Sequence, residues 1–396
     1  MNQEIETKVS FEDTSIAFSS RSNAELSKMY WMFAAVQRPW MADMGTNFIN
    51  FAFKIGLPIK WVVKSTIFNH FCGGENIEDC TKTIEKLSKF HIGTILDYSV
   101  EGEKSEKGFE KTAEEIMHTI DKAAANPKMI PFSVFKVTGV ILFDLLEKVQ
   151  SGEPLTEEEE KAWQKAKHRV DTICKHAFER KVRIFIDAEE TWIQGTIDAL
   201  AYEMMAKYNQ NEAIVYNTYQ MYCVASLQNL KNAFHEAVTH HYYLGAKLVR
   251  GAYMDKERER AQEKGYPDPI QPNKDATDND FNEALKFCVS NQQRVALCAG
   301  THNEYSSYLL TVLLEKYNIP PTNPNFYFAQ LYGMSDHISY NLANAGYNVA
   351  KYVPYGPVKA VLPYLFRRAH ENTSVTGQSS REFGLIKKEM KRRKGK

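Results

Sequence analysis

From residue 92 onward, short apolar runs alternate with longer stretches whose apolar positions recur every three or four residues. The short runs are Ile92 to Asp97, Phe132 to Lys136, Val182 to Asp187, Ala213 to Asn217, Ala246 to Arg250, Arg294 to Thr301, Asn325 to Gln330 and Asn348 to Tyr352. Each is rich in β-branched or aromatic residues and stops at a polar residue or near a glycine, which predicts a strand. Eight such units over roughly 300 residues predict parallel strands joined by helical crossovers, and a closed (β/α)8 TIM-like barrel fits them better than an open sheet.

A helical-looking leader precedes the first run. The expected organisation is therefore an N-terminal helical segment over 1–80, the barrel over 81–375, and a basic tail over 376–396. The connection after Lys136 is longer than the others and contains Thr156 followed by Glu159, a capping box that predicts an extra helix. A polar insertion from Glu263 to Asp280 carries three prolines and reads as a loop over the barrel mouth.

Topology selects the candidate chemistry. Barrels of this kind work at the C-terminal ends of their strands. Those ends carry Asp97, Lys136, Asp187, Asn217, Arg250, His302, Gln330 and Tyr352. Each alone is an ordinary polar strand end; together they give one mouth acids, bases, amides and an aromatic.

Composition narrows the partner. The 396 residues are 43% hydrophobic and carry 49 basic and 49 acidic residues. Zero formal charge argues against nucleic acid and for a small molecule. The six cysteines show neither C-x-x-C pairing nor zinc-like spacing, so they read as thiols in a reducing compartment. The acidic start lacks the basic and apolar parts of a signal peptide, and no apolar run reaches the roughly 18 residues of a membrane span, the longest being broken by lysines such as Lys54, Lys60 and Lys64. A cytoplasmic chain is expected, with at most a peripheral place on the inner face of a membrane. Lys387 to Lys396 holds seven basic residues against Glu389; it reads as a solvated tail that can also meet an anionic lipid surface.

Three motifs carry chemistry. On a helix, Glu371 lies within reach of both Arg367 and Arg368, so one carboxylate braces two guanidinium forks that suit an anion; a solvated charge cluster is the plainer reading. Lys247 and Arg250 lead into Gly251-Ala252, a small step that lets a ligand approach the backbone. Gly300-Thr301-His302-Asn303 offers donors to a phosphate, or simply caps a helix. Asp187-Ala-Glu189-Glu190 has no histidine or cysteine at ligand spacing, so no metal is expected, and no G-x-G-x-x-G supports a Rossmann site.

Taken in order, Asp187-Ala-Glu-Glu190, Leu248-Val-Arg-Gly-Ala-Tyr253, Thr301-His-Asn303, Leu331-Tyr-Gly-Met334 and Arg367-Arg368-x-x-Glu371 resemble proline dehydrogenase over roughly residues 90 to 375. The resemblance implies a distorted barrel with a final helix over its mouth, FAD as cofactor, and oxidation of L-proline to 1-pyrroline-5-carboxylate. In the mechanism it implies, hydride passes from proline C5 to flavin N5, and a quinone takes the electrons. It assigns the proline carboxylate to Lys136, Arg367 and Arg368, braced by Glu371. Tyr253, Leu331 and Tyr352 would line the ring, and Asp187 would orient them through the basic residues and Tyr253. Lys247, Val249, Arg250, Gly251, Ala252, Lys274, Thr301, His302, Asn303 and Gln330 would lie along FAD. The fourth-strand amide falls on Asn217 or Gln220. Lysine stands at 247 where bacterial members often carry arginine, and arginine at 250 where they carry lysine. Hydroxyproline, a folate, and a non-catalytic amino-acid-binding barrel are the alternatives.

Overall fold

The computed structural model describes residues 9–36, 55, 57, 60–99, 104–374 and 378–395; the side chains at 35–36, 369–374 and 378–380 lie outside the description. Eight strands run as β1 (Ile92–Tyr98), β2 (Phe132–Lys136), β3 (Arg183–Asp187), β4 (Val215–Gln220), β5 (Leu244–Val249), β6 (Val295–Gly300), β7 (Phe326–Leu331) and β8 (Val349–Tyr355). Each pairs in parallel with its sequence neighbour, and β1 pairs with β8 from Ile92 opposite Val349 to Tyr98 opposite Tyr355, which closes the barrel.

Before β1 come α1 (Thr14–Ala17), α2 (Asn23–Val36), a short helical run over 60–71, and α3 (Thr81–Ser88). The crossovers hold α4 (Glu106–Ala125), α5 (Phe143–Ser151), α6 (Glu157–Glu179), α7 (Thr191–Tyr208), α8 (Ser226–Thr239), α9 (Met254–Lys264), α10 (Lys274–Ser290), α11 (Glu304–Lys316) and α12 (Asp336–Asn344). After β8 follow α13 (Leu362–Ser374) and α14 (Gln378–Arg393). The extra helix after β2 starts as expected: the Glu159 side chain accepts from Thr156 N at 2.7 Å, and Thr156 Oγ1 accepts from Glu159 N at 3.2 Å.

Strand alternation divides the side chains into two cores. Leu96, Phe135, Ile186, Tyr219 and Leu248 face the helices, while Ile95, Phe132, Val134, Phe185, Tyr216, Ala329, Ala350 and Tyr352 fill the barrel. Large aromatics enter from β2 to β4, with small residues such as Ala296, Ala329 and Ala350 on β6 to β8 beside Tyr327 and Tyr352; Phe132 stacks on Phe185 at 4.4 Å between ring centres. Two residues further along the same inward rows, at Asp97, Lys136, Asp187 and Lys247, the interior becomes charged.

Two expectations are corrected. The Glu263 to Asp280 insertion is not a long loop over the mouth: α9 runs to Lys264, α10 begins at Lys274, and the link between them is pinned to the segment after β4 by Gln271 N donating to Tyr222 O at 2.7 Å and Val224 N to Pro269 O at 2.9 Å. Nor is the basic tail a solvated arm. It forms α14, which packs Phe383, Leu385 and Ile386 on Phe18, Leu26, Met29 and Phe33. Buried Glu389 accepts from Arg392 at 2.8 Å and Arg393 at 2.7 Å, and Arg393 also donates to the Phe18 and Arg21 carbonyls. The apolar positions every third or fourth residue, masked by the basic count, create that helix face.

Candidate active site

At the C-terminal end of β3, Asp187 is the hub of the barrel mouth. Its Oδ2 accepts from Lys136 Nζ of β2 at 3.1 Å, and its Oδ1 accepts from Lys247 Nζ of β5 and from the Tyr352 hydroxyl of β8 at 3.0 Å. Lys247 donates to the same hydroxyl at 2.8 Å, with its ammonium over the Phe185 and Tyr352 rings. Burial alone pushes the Asp187 pKa up, but Lys247 and Lys136 outweigh it and hold the carboxyl down at about 2. Buried charge persists when each ion is paired and hydrogen-bonded, as here.

The two lysines differ in access. Lys247 is enclosed, whereas the Lys136 side chain keeps 25% exposure and spends one donor on Asp187. Asp97 of β1 joins the same inward row; burial raises its pKa, with Lys136 opposing, and Ser99 Oγ donates to it at 2.6 Å. Tyr253 does not reach Asp187, contrary to expectation. It lies beside Lys136, Glu189 and Glu190 and within the field of Arg367; burial raises its pKa, with Lys136 and then Arg367 opposing. The phenol on Asp187 is that of Tyr352.

Helix α13 brings the arginine pair to this mouth. Leu362, Tyr364 and Leu365 seat it on Val63, Phe68, Phe71 and Met334. One turn on, Arg367 faces Tyr253, and buried Arg368 lies over the Tyr364 ring at 5.2 Å and close enough to His302 to depress its pKa. The Glu371 side chain lies outside the described residues. Leu331 points inward at the end of β7. Gly333 in the same turn has φ +80, and an added Cβ would stand 2.4 Å from the His70 carbonyl oxygen, so this turn requires glycine.

The edge formed by β5 and β6 is a separate polar assembly. Arg250 donates from Nε to Asp278 at 2.7 Å, from Nη1 to Thr301 Oγ1 at 2.6 Å and from Nη2 to Ser306 Oγ at 3.0 Å. Lys274 pairs with the other Asp278 oxygen. Gly251 (φ +138) and Ala252 are exposed just beyond β5, and the face of Gly251 that would bear a Cβ rests on the Tyr222 ring. Asn303 caps α11, accepting from Ser306 N at 2.9 Å, and Thr301 Oγ1 accepts from Asn303 N at 3.1 Å. His302 Nε2 accepts from Leu331 N at 3.4 Å, and its Nδ1 lies 2.9 Å from Ser335 Oγ; burial, with Lys351 and Arg368 nearby, holds its pKa at about 3.

Two expected amides face the wrong way for this mouth. Asn217 lies mid-strand on the outward row of β4 and donates to Asp198 of α7 at 2.8 Å. The strand continues to Gln220, whose inward amide donates to the Glu189 carbonyl at 2.7 Å. Gln330 likewise points out of β7, donating to Thr301 O at 3.0 Å and accepting from Ser339 Oγ at 2.8 Å. The three clustered carboxylates diverge too: Asp187 turns to the lysines, Glu189 to Thr138, and Glu190 to Lys256. Asp278 and Ser335 also shape the site; a lone Asp on a helix and a serine after a turn gave no signal in the sequence.

A closed (β/α)8 barrel whose paired lysines and carboxylates converge at the strand C-termini defines a barrel enzyme. The proline dehydrogenase family model matches residues 80–381. The chain belongs to the proline dehydrogenase family, which is a family of oxidoreductases. It is 37% identical over 427 residues to mitochondrial proline dehydrogenase 1 of Dictyostelium discoideum, covering 96% of this chain and 74% of that one. It is 31% identical to the hydroxyproline dehydrogenase of Xenopus laevis over 84% of this chain and 79% of that one. Among solved structures it resembles proline utilization A of Bdellovibrio bacteriovorus inactivated by N-propargylglycine, with a TM-score of 0.72 and 21% identity; the match covers 96% of this chain and 41% of that chain.

Proposed function

We propose that this chain oxidises L-proline to 1-pyrroline-5-carboxylate with FAD at the barrel mouth and a quinone as the electron acceptor. The observation that carries the reading is the Asp187 hub, which leaves an accessible ammonium, Lys136, at the same mouth as the Arg367–Arg368 helix.

The β5–β6 edge fits a flavin. Gly251 and Ala252 leave the strand end uncluttered, Arg250 is fixed by three of its five N–H donors, and neutral His302 stands at the head of α11. Lys247, Val249, Arg250, Gly251, Ala252, Lys274, His302 and Gln220 would hold the cofactor, with Thr301, Asn303 and Gln330 acting from the scaffold. When bound, FAD supplies a two-electron acceptor that takes hydride from proline C5. Lys136, Arg367 and Arg368 bind the proline carboxylate; planar guanidinium forks match it with parallel hydrogen bonds. Tyr253, Leu331 and Tyr352 wall the ring, exclude water and keep C5 in one orientation. Asp187 fixes the two lysines and the Tyr352 phenol from below.

No described helix is long and apolar enough to cross a membrane. Lys387, Lys388, Lys391 and Arg392 on α14, and Lys394 just after it, remain exposed, a basic face suited to an anionic lipid surface that carries the quinone. All six cysteines are free and buried, as suits a reducing compartment.

The test is an anaerobic visible spectrum of the purified protein with and without L-proline. Flavin bands that bleach with L-proline support the reading. Bleaching by hydroxyproline in preference would move the assignment toward the Xenopus relative's named substrate, and a colourless protein that takes up no FAD would sink the flavin assignment.

A further inference from the structure

Glu382 stands on α14, one residue beyond the segment matched by the family model, and is 1% exposed. Its Oε2 accepts the Ser335 backbone N–H at 3.2 Å, while Oε1 has no hydrogen-bond partner. Ser335 has left-handed backbone angles, φ 52 and ψ 43, a conformation that a residue with a Cβ keeps only when its surroundings hold it. From that conformation Ser335 Oγ meets His302 Nδ1 at 2.9 Å. His302 Nε2 accepts from Leu331 N, so the ring proton belongs on Nδ1 and points to Ser335. A single line of contacts thus runs from α14 outside the barrel to Leu331 inside the mouth.

We propose that Glu382 is a positioning residue for the cofactor edge, holding the Ser335 backbone and through it the Nδ1–H tautomer and ring plane of His302. The inference rests on the reading that His302 borders FAD. It also makes the hold sensitive to pH. The carboxyl faces His337 and Asp336 of α12 and Lys351 of β8; Arg21 pairs with Asp336, and Glu304 and Arg381 meet on the other side of His337. Burial raises its pKa to about 7, against His337. Protonated, the carboxyl accepts the Ser335 N–H as a neutral group and carries a donor for the buried cluster, where His337 Nδ1 also lacks a partner. Ionised, it adds a second buried carboxylate beside Asp336, and the dock loosens so that water can reach it.

The experiment titrates apoprotein with FAD by flavin fluorescence from about pH 6 to about pH 8, alongside 15N NMR of the histidine rings in the apoprotein. Wild type should lose about tenfold in affinity across that range, Glu382→Gln should keep the low-pH affinity throughout, and Glu382→Ala should be weak at both ends. In Glu382→Ala the His302 signal should move from the Nδ1–H form to a mixture of tautomers, a readout that needs no FAD. A Glu382→Gln profile as steep as wild type, or an unchanged His302 signal in Glu382→Ala, would overturn the proposal. If Glu382→Ala does not fold, Ser335→Ala should give the same tautomer change, and its absence would overturn the proposal equally. A protein that takes up no FAD yet shows the tautomer change would remove the flavin reading and support the positioning role.

Discussion

The Tyr352 hydroxyl donates to Asp187 at 3.0 Å while accepting from Lys247 at 2.8 Å, so one phenol joins strands β3, β5 and β8 across the barrel. The hydroxyl is the neutral link in a set made of buried Lys247, part-exposed Lys136 and one carboxylate. Tyr352→Phe is expected to fold and to keep its ring in place. Losing hydrogen bonds to charged partners costs about 1.5–3 kcal/mol, so kcat/KM for proline should fall about 10- to 100-fold. Steady-state kinetics on the variant check this; an unchanged kcat/KM would detach the phenol from function.

Removing the hub itself is a stability question. Asp187→Asn leaves Lys247 and Lys136 without their carboxylate and should cost about 3–5 kcal/mol, measured by denaturant unfolding. The sign with pH follows from the depressed pKa: Asp187 stabilises the fold above its ordinary pKa of 3.8, and that contribution is lost as pH falls through about 2. The variant should lack this part of the acid-unfolding slope.

Glu189 has the opposite sense. Burial raises its pKa from 4.5 to about 7, so the folded state holds the proton in that window and the unfolded state does not. Stability present below pH 4.5 is therefore lost as pH rises toward 7. Glu189→Gln, which mimics the protonated form beside Thr138, should melt higher than wild type at about pH 8 and the same at about pH 4. Thermal melts at the two pH values check it; equal differences at both would refute the assignment.

The arginine pair separates substrate binding from cofactor binding. Arg367→Met and Arg368→Met should each retain the flavin absorbance and raise KM for proline by about two orders of magnitude or more, as expected for losing a charge-assisted fork. Unchanged KM in both would sink the carboxylate assignment.

Glu389 tests whether the tail is structure or appendage. It is fully buried and carries Arg392 and Arg393, so Glu389→Ala should destabilise the protein by about 3 kcal/mol and lower Tm by several degrees. A solvated tail would leave Tm unchanged.

Much of this site could be read along the chain. Lys136, Asp187, Lys247 and Tyr352 lie at or near the ends of strongly β-branched or aromatic runs, and the barrel topology sends such ends to one mouth. The failures occur where a polar residue is buried away from it. Asn217 looked like the end of the fourth strand because it is the first amide after an apolar run, yet Asp198 satisfies it from α7 and the strand continues to Gln220. Gln330 is one residue from Leu331, and a shift of one along a strand reverses the face.

What the sequence by itself determined is the part governed by local periodicity and short-range chemistry: eight strands in order, their crossovers, the Thr156 capping box, and which charged side chains reach one end of the barrel. What only the tertiary structure decided is pairing. Whether Tyr253 or Tyr352 meets Asp187, whether basic residues at 387–394 are solvated or docked, and whether Glu382 reaches Ser335 all depend on contacts between residues tens to hundreds of positions apart. Local pattern fixes the row a side chain occupies, but the partner that balances a buried charge is chosen by the packing of distant elements.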